Sequence, residues 1–246
     1  MKKSILFTLM LLAAGAVLAA DPPTTNQLHD AIGKLQSAPN FSWTLALKLP
    51  GMQFEPGLLK GRAEKDGYAV ISQELGDWQL DAVFKGDAIV LKNEGEWKAP
   101  DPGDMRAVMT ASSVTRRGTP ASEAESLFKY AKELKAGEGD VLAGDLTEEG
   151  AKEALWFGPR GGDDGPPPPK NAKGSVKFWL KDGALSKYES HVKGTMAFGQ
   201  DGEDRDFEII RTIEIQDVGT TKADAPAEAI KALDQKAPAS PDKAKN

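Results

Sequence analysis

The sequence predicts an α+β fold: a strongly curved antiparallel sheet of about eight to ten strands with helices on its concave face. Two observations carry this. The hydrophobic period switches along the chain between the roughly 3.6 residues of an amphipathic helix and the roughly 2 of a strand with one buried face. Between the strand patterns, turn-forming pairs recur about every eight to ten residues, as in an antiparallel meander.

The chain opens with Lys2-Lys3, an apolar run Ile5–Leu12 and small residues Ala13–Ala20. Charge, core and cleavage site together predict a secretory signal peptide over 1–19, cut after Val17-Leu18-Ala19. The apolar run is shorter than the about 20 residues that cross a bilayer. An uncleaved anchor is the alternative. One domain is expected over 21–234, followed by a disordered tail 235–246, since Ala237–Asn246 has no large apolar side chain to offset its ordering entropy.

Leu28, Ala31, Ile32 and Leu35 predict a helix over Asn26–Ser37, with Thr24 and Thr25 as candidate caps. Phe41, Trp43, Leu45, Leu47 and Leu49 then alternate with smaller or polar residues as a strand. Asp66-Gly67 and Gly86-Asp87 suit two-residue hairpin turns, the second pairing Phe84 with Ile89 and Ala82 with Leu91. Asn93-Glu94-Gly95 fits a three-residue loop that sets Leu91 opposite Trp97. Trp78, Leu80, Ala82 and Phe84 alternate cleanly, whereas Tyr68–Leu75 is apolar on both faces and its register stays open.

After Pro102, Met105, Val108 and Met109 form a helical stripe. Ser122 with Glu125 predicts a capping box for a second helix, with Leu127, Tyr130, Ala131 and Leu134 facing inward. Thr147–Leu155 reads as a third, short helix that Gly150 weakens. Gly161–Pro169 predicts an exposed, partly polyproline II loop. Val176, Phe178 and Leu180 share a face with Tyr188, Val192, Met196 and Phe198 only if the connecting loop is odd, so a three-residue loop Lys181-Asp182-Gly183 is expected. The last strand sets Phe207, Ile209, Ile213 and Ile215 on one face, with Arg211 among them. A short helix follows over Pro226–Leu233.

Composition excludes several functions. Without cysteine there is no disulfide framework, thiolate metal site or cysteine nucleophile. It also leaves no residue for N-terminal acylation, so an unanchored, soluble, periplasmic or secreted monomer is expected. Removing Lys2 and Lys3 takes the basic count from 31 to 29 against 37 acids, a net charge of −8, which opposes binding to nucleic acid or anionic surfaces. His29 and His191, the two histidines, lack metal-ligand spacing, and no cofactor or metal is expected. Ser126-Leu127-Phe128-Lys129 matches S-x-x-K, but the companion S-D-N and K-T-G elements are missing, so a hydrolase using Ser126 and Lys129 is the weakest reading and no catalytic residues are assigned. The acidic run Asp201–Asp206 lacks the ligand order of a calcium loop and reads as a solvated turn.

The C-terminal part carries a resemblance. Gly144-Asp145-Leu146-Thr147, the strand Val176–Leu180 followed by Gly183, Leu185, Lys187 and Tyr188, and Val218-Gly219-Thr220-Thr221 before Pro226 are similar to the periplasmic lipoprotein-carrier (LolA-like) superfamily, and within it to mycobacterial lipid-binding lipoprotein antigens. That resemblance implies a half-barrel holding an acyl chain, lipid or lipoprotein between sheet and helices, with envelope lipoproteins or a membrane as partners. The chain departs from it in lacking the anchoring cysteine and in carrying Gly161–Pro169. The expected ligand-binding residues are Trp43, Leu45, Trp78, Leu80, Met105 and Met109, with Arg211 at a head group. Two alternatives stay open: a filled core in a structural or regulatory envelope protein, and an Arg211 that merely pairs with an acid or sits at a sheet edge.

Overall fold

The first and last strands lie side by side in the middle of one sheet. The computed structural model describes residues 22–53, 56–65, 67–75, 78–156, 167–198 and 202–235, without the side chains of 75, 78 and 198. The expected signal peptide, residues 161–166 of the Gly/Pro-rich loop and the tail from 236 onward lie outside these. Pro169, which closes that loop, is buried.

Helix α1 (Thr25–Ser37) precedes strands β1 (Asn40–Lys48), β2 (Leu59–Glu64), β3 (Ala69–Leu75), β4 (Trp78–Lys85), β5 (Ala88–Asn93) and β6 (Glu96–Lys98). Helices α2 (Met105–Arg117) and α3 (Pro120–Tyr130) follow, then β7 (Ala131–Ala136), β8 (Val141–Leu146) and α4 (Glu148–Leu155). Three long strands, β9 (Lys170–Lys181), β10 (Ala184–Phe198) and β11 (Glu203–Gln216), and helix α5 (Ala227–Asp234) complete the chain. Among the described residues all strands join one antiparallel sheet of 11 strands, ordered β6-β5-β4-β3-β2-β1-β11-β10-β9-β8-β7 and not closed between β6 and β7. The fold is the expected α+β half-barrel, with slightly more strands than the turn spacing suggests. Among the described residues, no helix is long and apolar enough to cross a membrane.

The main core lies between the sheet's inner face and α1, α3 and α4, with Leu28, Ile32, Leu155, Val176, Phe178, Tyr188 and Ile213 fully buried. Thr24 caps α1 through a complete capping box with Gln27. Gly61 lies beneath the Trp43 ring, and a Cβ there would overlap the indole, so the ring can lie flat on β2. Gly150 in α4 abuts Tyr130 in the same way; its role is close packing rather than a weak helix centre.

Helix α5 corrects the expectation that the helices share one face. It packs on the outer face with Val83, Val90, Val70, Tyr68 and Trp97, through Ala229 and Leu233. This second small core explains why Tyr68–Leu75 is apolar on both sides: Ala69 and Ile71 face inward, Val70 outward. Trp97 also belongs here. The β5–β6 hairpin has a two-residue loop, Glu94 (φ 50°) and Gly95 (φ 86°), not three, so Trp97 pairs with Lys92 and the face flips.

The β9–β10 hairpin reaches the expected facing by another route. Its loop is the two-residue Asp182-Gly183, both left-handed, joining Lys181 to Ala184. Parity is restored by a β-bulge between Leu185 and Lys187, where Ser186 Oγ donates to the Trp179 carbonyl at 3.1 Å. Phe178 and Tyr188 thus meet on the inner face, their rings tilted by 38° with centres 6.3 Å apart. The β2–β3 loop spans residues 65–67; Asp66 itself lies outside the described residues.

Two helix boundaries also differ. Helix α3 starts at Pro120 with Thr119 as N-cap, so Ser122 is inside the helix and caps nothing. Proline is favoured at N1, where its missing N–H costs no bond. The helix ends at Tyr130, and Ala131–Ala136 forms the edge strand β7, whose Lys132, Glu133 and Lys135 suit an unpaired sheet edge. Glu203–Asp206 likewise extend β11 rather than forming the turn.

Candidate functional site

Beneath α2 and the start of α3, the inner face of β1–β4 and β11 leaves a chamber of about 140 Å³. Its floor is mostly apolar: Trp43, Leu45 and Leu47 from β1, Leu59 from β2, Ile71 from β3, Leu80 and Phe84 from β4, and Ile213 from β11, with the buried amide of Gln73 in β3 donating to the Gly57 carbonyl. Alternation places these residues there, since successive side chains of each strand point to opposite faces. The roof is Ser113, Val114 and Arg117 of α2, its C-cap Gly118, and Pro120 and Glu123 of α3. Ala111 is the one fully buried residue of α2, and Ala107 and Val114 pack half-buried against the same core.

One end of the chamber is ionic. Arg211 projects from the middle of β11 among inward isoleucines and meets Glu123 of α3, with Nε donating to Oε1 at 3.1 Å and Nη2 to Oε2 at 3.4 Å. Tyr188 of β10 donates its hydroxyl to Oε2 at 2.9 Å. Arg117, at the C-terminus of α2, stands 3.8 Å from Oε1. It also donates to the carbonyls of Ser113 (2.9 Å) and Trp156 (3.2 Å). The side chains of Arg211, Glu123 and Arg117 are 11%, 12% and 14% exposed.

Burial and the neighbouring charges perturb Glu123, Arg117 and Tyr188. Burial alone would raise the Glu123 carboxyl, but the attraction of Arg211 and Arg117 and the hydrogen bonds from Arg211 and Tyr188 hold it below the ordinary carboxylate range. Burial, with repulsion from Arg211, pulls Arg117 down to about 9 against the opposing pull of Glu123. Burial and then the Glu123 charge raise the Tyr188 phenol well above its usual value. At neutral pH the cluster holds two guanidinium ions, one carboxylate and a neutral phenol. The Ser190 hydroxyl, opposite Arg211 in the ladder and 1% exposed, has no hydrogen-bond partner among the described residues.

Four of the seven expected binding residues, Trp43, Leu45, Leu80 and Arg211, line this one chamber. Met105 does not: at the first turn of α2 it is 68% exposed, because the helix approaches the sheet with its C-terminal half. Met109 is half-buried and also outside the lining. The Trp78 side chain lies outside the described residues, though its backbone pairs with Leu75. Arg211 is paired with an acid and sits on a central strand, not at an edge.

Sequence reasoning missed Glu123 and Arg117. The signal was present, since Glu123 lies on the same helical stripe as Pro120, Ala124 and Leu127, a carboxylate on a buried face. Assigning the cap to Ser122 had displaced that stripe. Ser126 and Lys129 are exposed on α3 and line no part of the chamber; the Lys129 ammonium stands 5.6 Å from the Tyr130 ring centre. His191 contacts Glu208 on the outer face, and His29 packs near Phe128. No group of three or more potential metal ligands occurs among the described residues.

No protein-family model and no curated protein sequence matches the chain. Among solved structures the chain is similar to LprF from Mycobacterium bovis, at 10% identity and a TM-score of 0.44, over 82% of this chain and 95% of that one. It is also similar to a LolA superfamily protein from Nitrosomonas europaea, at 10% identity and a TM-score of 0.31, over 85% and 96% of the two chains.

Proposed function

We propose that this protein is a carrier that binds an apolar or amphipathic molecule, a lipid or acyl chain, by burial and not by catalysis. The observation that carries the reading is the chamber itself, a space on the inner sheet face beneath α2 with apolar walls and one ionic end. Trp43, Leu45 and Leu80 line the apolar part and Arg211 the polar end. The protein acts as a soluble monomer outside the cytoplasm, with an envelope lipoprotein or membrane as donor or acceptor.

Size sets how binding proceeds. At about 140 Å³ the chamber matches an engineered apolar cavity of about 150 Å³ that takes one benzene. It is smaller than the roughly 300–1,000 Å³ of sites for larger ligands. It therefore accepts a ring or a short stretch of chain as it stands, and a longer tail enters as α2 lifts from the sheet. Each methylene then buried contributes about 0.8 kcal/mol, which offsets the exposure of Ala107, Ala111 and Val114 and the separation of Arg117 from Glu123 and the Trp156 carbonyl. A fully packed interior would favour a structural role, and the chamber argues against it.

The test is chemical. Purified protein is extracted with organic solvent and analysed by mass spectrometry, and the extracted protein is titrated with a fluorescent fatty acid. Stoichiometric lipid, or uptake near one equivalent, is expected; absence of both overturns the reading.

A further inference from the structure

We infer that the chamber selects a singly charged anionic amphiphile, a chain ending in a carboxylate or phosphodiester, over a neutral lipid; this rests on the carrier reading above. The argument is a charge count. Arg117, Glu123 and Arg211 are the charged residues lining the chamber, two cations against one anion, an excess of one positive charge. Tyr188 is neutral, and Arg116, next to Arg117, faces Glu153 at 3.6 Å. Arg117 stays a cation at neutral pH despite its depressed value.

The resident carboxylate cannot balance both cations. Its oxygens already accept three hydrogen bonds, two from Arg211 and one from Tyr188. Arg117 donates to carbonyl dipoles and stands 3.8 Å from the shared carboxylate, which together offset its charge only in part. The Nη1 of Arg211 makes no hydrogen bond among the described residues. An uncompensated charge at this depth is unfavourable, and a bound oxyanion removes that penalty through charge-assisted hydrogen bonds. A neutral head group cannot, and a dianion would overshoot by one charge.

Calorimetric titration of the extracted protein at pH 7.5 with decanoate, decyl sulfate and 1-decanol tests this. Decyl sulfate, a tetrahedral singly charged head, stands in for a phosphodiester; whichever anion binds tighter identifies the head-group shape. Charge-assisted hydrogen bonds are expected to favour at least one anion over decanol by roughly tenfold or more. Arg117→Met and Arg211→Met each balance the cluster and bring the three ligands to within about threefold, while Arg117→Lys retains the preference because charge is the cause. Wild-type affinities all within threefold overturn the selection and leave the carrier reading standing. A folded Arg117→Met that keeps the preference overturns it as well. If none of the three ligands binds, the carrier reading falls and the selection with it. Should Arg117→Met fail to fold, the wild-type ratio and Arg211→Met carry the test.

Discussion

Replacing Glu123 with alanine removes the one carboxylate that holds two enclosed guanidinium groups. The change deletes the 3.1 and 3.4 Å contacts from Arg211 and the 2.9 Å bond from Tyr188, and raises the cluster's charge from +1 to +2. With Arg211 11% and Arg117 14% exposed, water reaches neither cation freely. Removing one partner of a buried ion pair costs about 3–5 kcal/mol. For a chain of this size each kcal/mol lowers Tm by roughly 2–4 °C, so Glu123→Ala is expected to melt about 6–20 °C below wild type by circular dichroism. Arg211→Met is the informative comparison. It leaves Glu123 facing Arg117, a balanced pair, and is expected to lose less. A Glu123→Ala protein within about 2 °C of wild type, or one no worse than Arg211→Met, would refute the account of an enclosed charge excess.

Two further outcomes follow from the same cluster. The Glu123 carboxyl is held below its ordinary range in the fold, so its stabilisation is complete above the unfolded value near about 4.3 and is lost as pH falls through the folded value. The Tm gap between wild type and Glu123→Gln should therefore be constant from pH 7 to 5 and close below about 4; a gap unchanged down to pH 3 contradicts this. Ser190→Ala removes a buried hydroxyl that has no partner among the described residues and whose desolvation costs about 1–3 kcal/mol. Its Tm should equal or exceed that of wild type, and a loss above about 1 kcal/mol would mean that the hydroxyl is engaged.

Strand alternation made most of the sheet's inner face legible. Phe41, Trp43 and Leu45, and the run Phe207 to Ile215 with Arg211 among it, face inward as their period dictates. What was illegible traces to parity and to docking. One residue more or less in a hairpin loop reverses a face, which is why Trp97 moved outward, while the bulge at Ser186 preserved Tyr188 by a device with no local sequence signature. Which side of the sheet a helix covers depends on the path of the chain, so α5 on the outer face could not be read from Pro226–Leu233. The site was half visible. Its strand residues announce themselves by period, but Glu123, the partner of Arg211, lies 88 positions away, and Arg117 sits at the far end of α2 from the apolar stripe that Met105 opens.

The adjacency of β1 and β11 fixes when this chain can fold. Leu45 finds its cross-strand neighbour Ile213 only after the long segment between them has been made, and β2–β6 form a meander that until then ends in an unpartnered border at β1. Contacts this distant in sequence slow folding and prolong the exposure of apolar strands. A nascent chain stopped before Glu203 would be two half-sheets without a seam, open to chaperone capture and proteolysis.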